Sequence, residues 1–203
     1  MRTILIGAAA LLVAAVAGLW AGRFLGAPND AQPAQIESRP AIRDFSLTGA
    51  DNQKVSLSTY RGKWVLMFFG FTMCPEACPL AMQLVTATLE DMGEEGRAIK
   101  PIFVSIDPER DTPAVLKEYL GHFSDDIDGL SGTAEETADI AKQYGVFYRK
   151  RPIGEDYTMD HSTALYLIAP DGEYVRPFRA DVDPAELAED LAASMTEWKK
   201  RKQ

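Results

Sequence analysis

Hydrophobic and polar positions along this chain fall into separate regimes, and each predicts a different kind of element. Residues 3–22 (TILIGAAALLVAAVAGLWAG) carry no charge. Twenty helical residues rise about 30 Å, the thickness of a bilayer's hydrocarbon core. A surface helix of a globular domain keeps a polar stripe; this run has none, so residues 1–26 are read as a single N-terminal transmembrane helix. A cleaved signal peptide is the alternative. The run is long for one, however, and Leu25-Gly26-Ala27 is followed by Pro28, a poor processing site. Arg2 held on the cytoplasmic side would put the rest of the chain outside the cytoplasm. Residues 27–41, with Pro28, Pro33 and Pro40 and few large apolar groups, read as an extended linker.

From Ile42 onward the periods shorten. Phe45-Ser46-Leu47 and Val55-Ser56-Leu57 alternate around Gly49, Asp51 and Asn52, predicting an N-terminal β-hairpin. Trp64 to Phe69 and Ile102 to Ile106 are continuous apolar runs, as expected of strands covered on both faces. After a loop from Gly70 to Pro79, Leu80, Leu84, Val85 and Leu89 follow helical spacing, with Pro79 suited to a first helical position. Thr112-Pro113 opens a helix with Val115, Leu116, Tyr119 and Leu120 on one face. Thr133 and Glu136 make a capping box for another, ending near Tyr144-Gly145. Val146-Phe147-Tyr148 reads as a short strand and Tyr157 to Thr163 as a loop. Ala164 to Ile168 and Glu173 to Phe178 flank the turn Pro170-Asp171-Gly172. Asp183-Pro184 with Glu186 caps a last helix whose Leu187, Leu191, Met195 and Trp198 face inward. The order predicts an α/β sandwich with a central β-α-β unit over residues 42–198, followed by a basic tail at 199–203.

Composition narrows the chemistry. With 46% hydrophobic and 25% charged residues, the chain is not disordered overall. Its net charge is −9, and the first 28 residues contribute only Arg2 and Arg23, so the domain is more acidic still. It has no general electrostatic footprint for nucleic acid. Two cysteines and two histidines exclude a zinc-finger array and a disulfide-stapled scaffold. Thiol or imidazole chemistry therefore falls to Cys74, Cys78, His122 or His161.

Cys74 and Cys78 lie where a buried strand passes into a helix N-terminus, a place that stabilises a thiolate. A spacing of four puts them on one helical face, about 6 Å apart, close enough for a disulfide or for two sulfurs on one metal. His161, in Asp160-His161-Ser162-Thr163 before an apolar strand, completes a two-sulfur, one-nitrogen set. Such a set suits copper, and three-coordinate Cu(I) especially; zinc would want a fourth ligand. His122, at a helix end, has no such company. Asp160 could bear on His161 by hydrogen bonding or charge, or ligate an oxidised copper ion. Met73 and Met159 flank the ligands, where packing is the more common role of methionine. In Asp107-Pro108-Glu109-Arg110-Asp111-Thr112-Pro113, Asp111 or Thr112 should cap a helix and Arg110 should pair with a carboxylate. Parallel strands would bring this loop to the rim that holds the cysteines.

Together FGFTMCPEACP (Phe69 to Pro79), DPERDTP (Asp107 to Pro113) and DHSTALYLIAPDG (Asp160 to Gly172) resemble the Sco/SenC family of membrane-tethered copper proteins. The resemblance runs from about Ile42 to Trp198 and implies a thioredoxin-like fold. It implies one copper ion, Cu(I) or Cu(II), on Cys74, Cys78 and His161. It also implies a metallochaperone for the binuclear copper centre of cytochrome c oxidase, whose copper-centre subunit would be the partner. Other copper chaperones or a thiol reductant would be further partners, and the location would be a bacterial cytoplasmic membrane with the domain facing the periplasm. One departure stands out: many relatives carry His where this chain has Met73. A thiol–disulfide oxidoreductase using Cys74 and Cys78 is the alternative, although thioredoxin-type pairs are two residues apart and here Pro75, Glu76 and Ala77 intervene. A thiol peroxidase is a third reading.

Overall fold

Strand β3 (Trp64–Gly70) is buried at every position, and β4 (Ile99–Ser105) at nearly every one, so neither can sit at a sheet edge. They pair in parallel, Trp64 with Ile99 through Gly70 with Ser105, and β5 (Asp128–Ser131) continues the parallel run on β4. Strands β1 (Ser46–Gly49) and β2 (Lys54–Ser56) pair antiparallel with each other, and β1 closes antiparallel on β5. On the far side, β8 (Leu165–Ile168) runs antiparallel to β3, and β9 (Tyr174–Phe178) to β8. The seven strands lie in the order β2-β1-β5-β4-β3-β8-β9. Strands β6 (Tyr148–Ile153) and β7 (Asp156–His161) form a separate two-stranded ribbon. This computed structural model describes residues 42–203. The anchor expected at 1–26 and the linker at 27–41 lie outside the described residues, and among those described no helix is long and apolar enough to cross a membrane.

Helices α1 (Ala77–Asp91), α2 (Glu94–Arg97), α3 (Pro113–Gly121), α4 (Ala134–Tyr144) and α5 (Pro184–Arg201) complete the domain. Thr112 caps α3, its hydroxyl accepting from the Val115 amide, with Pro113 at the first position. The Thr133–Glu136 capping box opens α4, and Gly145 ends it at φ +68°, the left-handed conformation glycine adopts freely.

Several expectations needed correction. The first turn of α1 starts at Ala77, so Pro79 is its third residue; the buried face is Cys78, Ala81, Met82, Leu84, Val85 and Thr88, while Leu80 is exposed. Val115 is likewise exposed, leaving Leu116 and Leu120 to cover the core. Asp183 stands at the N-cap of α5 without a side-chain capping bond. The basic run at 199–203 is no free tail: α5 continues to Arg201, Arg201 reaches Glu173, and Lys202 reaches Asp171 and Glu173. Cations in a last turn also offset the negative helix end.

β5 is absent from the pattern reading and the ribbon is there only in part: the strand expected at 146–148 overlaps β6 at Tyr148 alone, and Tyr157 to His161, expected in a loop, lie in β7. β5 is short and begins Asp128-Gly129, so it has no apolar run to announce it. Gly129 lets α3 pack close, since a Cβ would sit 2.7 Å from Leu120 Cδ1 and 3.1 Å from Leu116 Cβ. In the ribbon, β6 starts at Tyr148 and is almost wholly exposed, with Phe147 outside it.

Candidate metal centre

Parallel pairing of β3 and β4 brings their following loops to one rim. The Ile106 amide donates to the Gly70 carbonyl at 2.9 Å, which locks the two exits together. The cysteine loop leaves Gly70, turns through a Cys74 N–H to Phe71 carbonyl bond, and enters α1. Gly70 must lack a side chain: a Cβ would lie 2.8 Å from Cys78 Sγ and 2.9 Å from Phe103 Cε2.

Asp111 fastens this loop from below. Fully buried, its carboxylate accepts from the Thr72 amide at 3.2 Å, the Thr72 hydroxyl at 2.6 Å and the Ser105 hydroxyl at 2.6 Å. Burial holds its pKa above the ordinary carboxylate value, and those hydrogen bonds pull the other way. The expected helix cap at this point is thus Thr112 alone, and Asp111 ties β4 to the cysteine loop. A buried acid that joins a hydroxyl 6 positions away to another 39 positions away gives no signal in the sequence.

Helix α1 has no side-chain cap from Glu76; instead Cys74 Sγ accepts from the Cys78 amide at 3.4 Å. Cys78 is fully buried in the first turn and Cys74 is half-buried. His161 closes the group, with Nε2 3.6 Å from Cys78 Sγ. One ligand atom from each of Cys74, Cys78 and His161 lies within 4.8 Å of the others. The imidazole Nδ1 is 2.9 Å from the Ser162 carbonyl, which can only accept, so Nδ1 carries a proton and Nε2 is the ring nitrogen turned toward the sulfurs. Phe68 and Phe71 meet the imidazole edge-on at 6.2 and 5.7 Å between ring centres.

The two thiols differ sharply. Hydrogen bonding from Cys78 is the largest influence on Cys74 and, with bonds from His161 and the Cys78 and Glu76 amides, brings its pKa down to about 3 against the opposing effect of burial. Cys78 is pushed up by its hydrogen bond to the Cys74 sulfur, by burial and by the neighbouring negative charge. The two sulfurs form one coupled pair whose shifts oppose each other, thiolate character falling on the more exposed Cys74 and the proton being favoured on Cys78. Two sulfurs and one imidazole nitrogen, converging beside the buried Phe68 and Phe71 rings, are a donor set that fits a soft metal ion.

Other singled-out residues stand elsewhere. His122 caps the C-terminus of α3 and is exposed. Met159 is buried in β7, whereas Met73 is 60% exposed beside the cysteines. Asp160 does not hydrogen-bond His161; its oxygens accept from Arg149 at 2.8 Å and Arg151 at 2.9 Å. A carboxylate already paired with two guanidiniums is a poor metal ligand. Arg110 pairs with Asp107, as expected, and also reaches Asp156 at 3.4 Å. Its stacking partner Tyr157 has no motif to mark it.

Residues 33–196 match the SCO1/SenC family model. The human mitochondrial protein SCO1 homolog is 36% identical over 161 residues, 77% of this chain and 54% of that protein. Its mouse counterpart is 38% identical over 78% of this chain and 57% of its own length, so the chain spans about half of these curated relatives. Bradyrhizobium japonicum ScoI with copper bound is 40% identical, with a TM-score of 0.69 covering 75% of this chain and 98% of that one. BsSco, a member of the Sco family of cytochrome c oxidase assembly proteins in which a disulfide switch was identified, is 26% identical with a TM-score of 0.63 over 78% and 95%. The mixed α/β architecture is the thioredoxin-like fold of these proteins, with a central sheet and flanking helices. On its three separated motifs, the extent of the family match and these identities, the chain belongs to the SCO1/SenC family.

Proposed function

We propose that this protein carries copper as cargo, held by Cys74, Cys78 and His161, and delivers it for assembly of the binuclear copper centre of a cytochrome c oxidase. The single observation carrying the proposal is the convergence of one nitrogen and two sulfurs within 4.8 Å, from positions more than eighty residues apart. Copper in B. japonicum ScoI and the oxidase-assembly role of the family to which BsSco belongs support it. The Cys74 thiolate is ready to bind without losing a proton, and Cys78 gives one up as the metal arrives. Three ligands leave the ion open to attack by a partner's ligands, which is what a carrier requires. The apolar run at 3–22, with Arg2 on the cytoplasmic side, would tether the domain to a bacterial cytoplasmic membrane facing the periplasm and the oxidase's copper-centre subunit.

Anaerobic titration of the reduced chain with Cu(I), and separately Cu(II), tests this reading. One equivalent should bind, the Cu(II) form with a thiolate-to-copper charge-transfer band. Cys74→Ala, Cys78→Ala and His161→Ala should each abolish tight binding; stoichiometric binding that survives His161→Ala contradicts the three-ligand site.

A second reading, thiol–disulfide exchange with a client's cysteines, is favoured by the unlike sulfurs, one a thiolate and the other a buried thiol. His161 separates the two: a carrier depends on it, and a dithiol reductant does not.

A further inference from the structure

The ribbon that ends in His161 shares no strand pairing with the seven-stranded sheet, and β6 exposes five of its six residues. Strand ladders therefore do not decide where the imidazole stands. Alternation does put Tyr157, Met159 and His161 on one face of β7, and the buried Met159 shows that this face turns inward. Near the hairpin turn, at the end of that face away from His161, the ribbon meets the Asp107–Pro113 loop. The Arg110 guanidinium lies over the Tyr157 ring at 3.7 Å, and its Nη1 donates to the Tyr157 carbonyl at 3.0 Å. The Tyr157 hydroxyl donates to Asp107 Oδ1 at 2.8 Å, and Arg110 Nε donates to the other oxygen of the same buried carboxylate. Lys150, paired across the ribbon with Met159, is 3.7 Å from the centre of the Tyr157 ring and bonds Glu109 at 2.7 Å. Arg110 also faces the Phe71 ring at 6.0 Å, and that ring bounds the His161 imidazole.

We propose that Arg110 and Tyr157 are positioning residues: stacked and hydrogen-bonded, they latch the ribbon to the Asp107–Pro113 loop and so hold His161 within reach of the two sulfurs. Neither touches the metal. Asp107 anchors both halves, because it accepts from Tyr157 and from Arg110 together. When the latch is released, the ribbon spends less time seated, and apparent metal affinity falls by the fraction of time the imidazole is away. Lifting the ribbon would also expose the sulfurs, which gives cargo a route out that leaves the main sheet intact.

The affinity arm of the test rests on the copper reading above; the exchange arm does not. Arg110→Gln and the milder Tyr157→Phe are each made alone and in a His161→Ala background, and Cu(I) affinity is measured by competition with a Cu(I) chelator. Each single variant should weaken binding about 10- to 100-fold, the usual range for residues that orient a ligand. In the His161→Ala background neither should weaken it further. Equal losses in both backgrounds, or no loss in either, overturn the latch. In the metal-free protein, hydrogen–deuterium exchange of β7 amides should quicken in Arg110→Gln while β3 and β4 stay protected. Unchanged exchange in β7, or a rise spread evenly over the domain, overturns it as well. If the wild-type chain binds no copper, the copper reading fails, and the exchange result still decides whether Arg110 seats the ribbon.

Discussion

Cys74 and Cys78 are chemically identical residues four positions apart, yet burial and hydrogen bonding shift their pKa values in opposite directions. Cys74 receives the donors at the uncapped start of α1, and Cys78, packed beneath Gly70, supplies one. A thiolate stabilised to about 3 stays ionised as pH falls toward that value, so its alkylation by iodoacetamide should be nearly flat between about pH 8 and pH 5. An ordinary thiol would slow about tenfold per unit over that span. Cys78 should resist the reagent, and Cys78→Ala should raise the Cys74 pKa by removing its largest stabilising donor. A Cys74 rate that falls tenfold per pH unit in the wild-type chain would contradict this account. The cysteines and His161 were legible in the sequence because few residue types perform such chemistry and the chain has so few of them. Asp111, Arg110 and Tyr157 were not legible in these roles, since each acts through partners 39 to 50 positions away.

At the scale of elements, the site depends on how β3, β4 and the ribbon end. Apolar runs announced β3 and β4 because both of their faces are covered. Most of the ribbon carries no such signal, because its outward residues Arg149, Arg151 and Asp160 pair with one another and leave no hydrophobic alternation in β6 past Tyr148. Gly70→Ala, which forces a Cβ to within 2.8 Å of Cys78 Sγ, should destabilise the domain by about 1–3 kcal/mol through overpacking. Asp111→Ala should cost a comparable amount, about 1–3 kcal/mol, because the buried Ser105 hydroxyl and the Thr72 amide lose their acceptor. Chemical denaturation reads both. A change under about 0.5 kcal/mol, typical of an unconstrained surface position, would show that the rim is not held in this way.

For the whole molecule, the central claim is that the fold gathers one imidazole and two sulfurs, distant in the chain, around one copper ion. X-ray absorption at the copper edge, on the reduced chain loaded with one equivalent of Cu(I), measures that directly. The spectrum should fit two sulfur scatterers and one nitrogen. His161→Ala should lose the nitrogen, and Met73→Leu should leave the shell unchanged. A wild-type shell of sulfur alone, or a nitrogen that persists in His161→Ala, would contradict the claim.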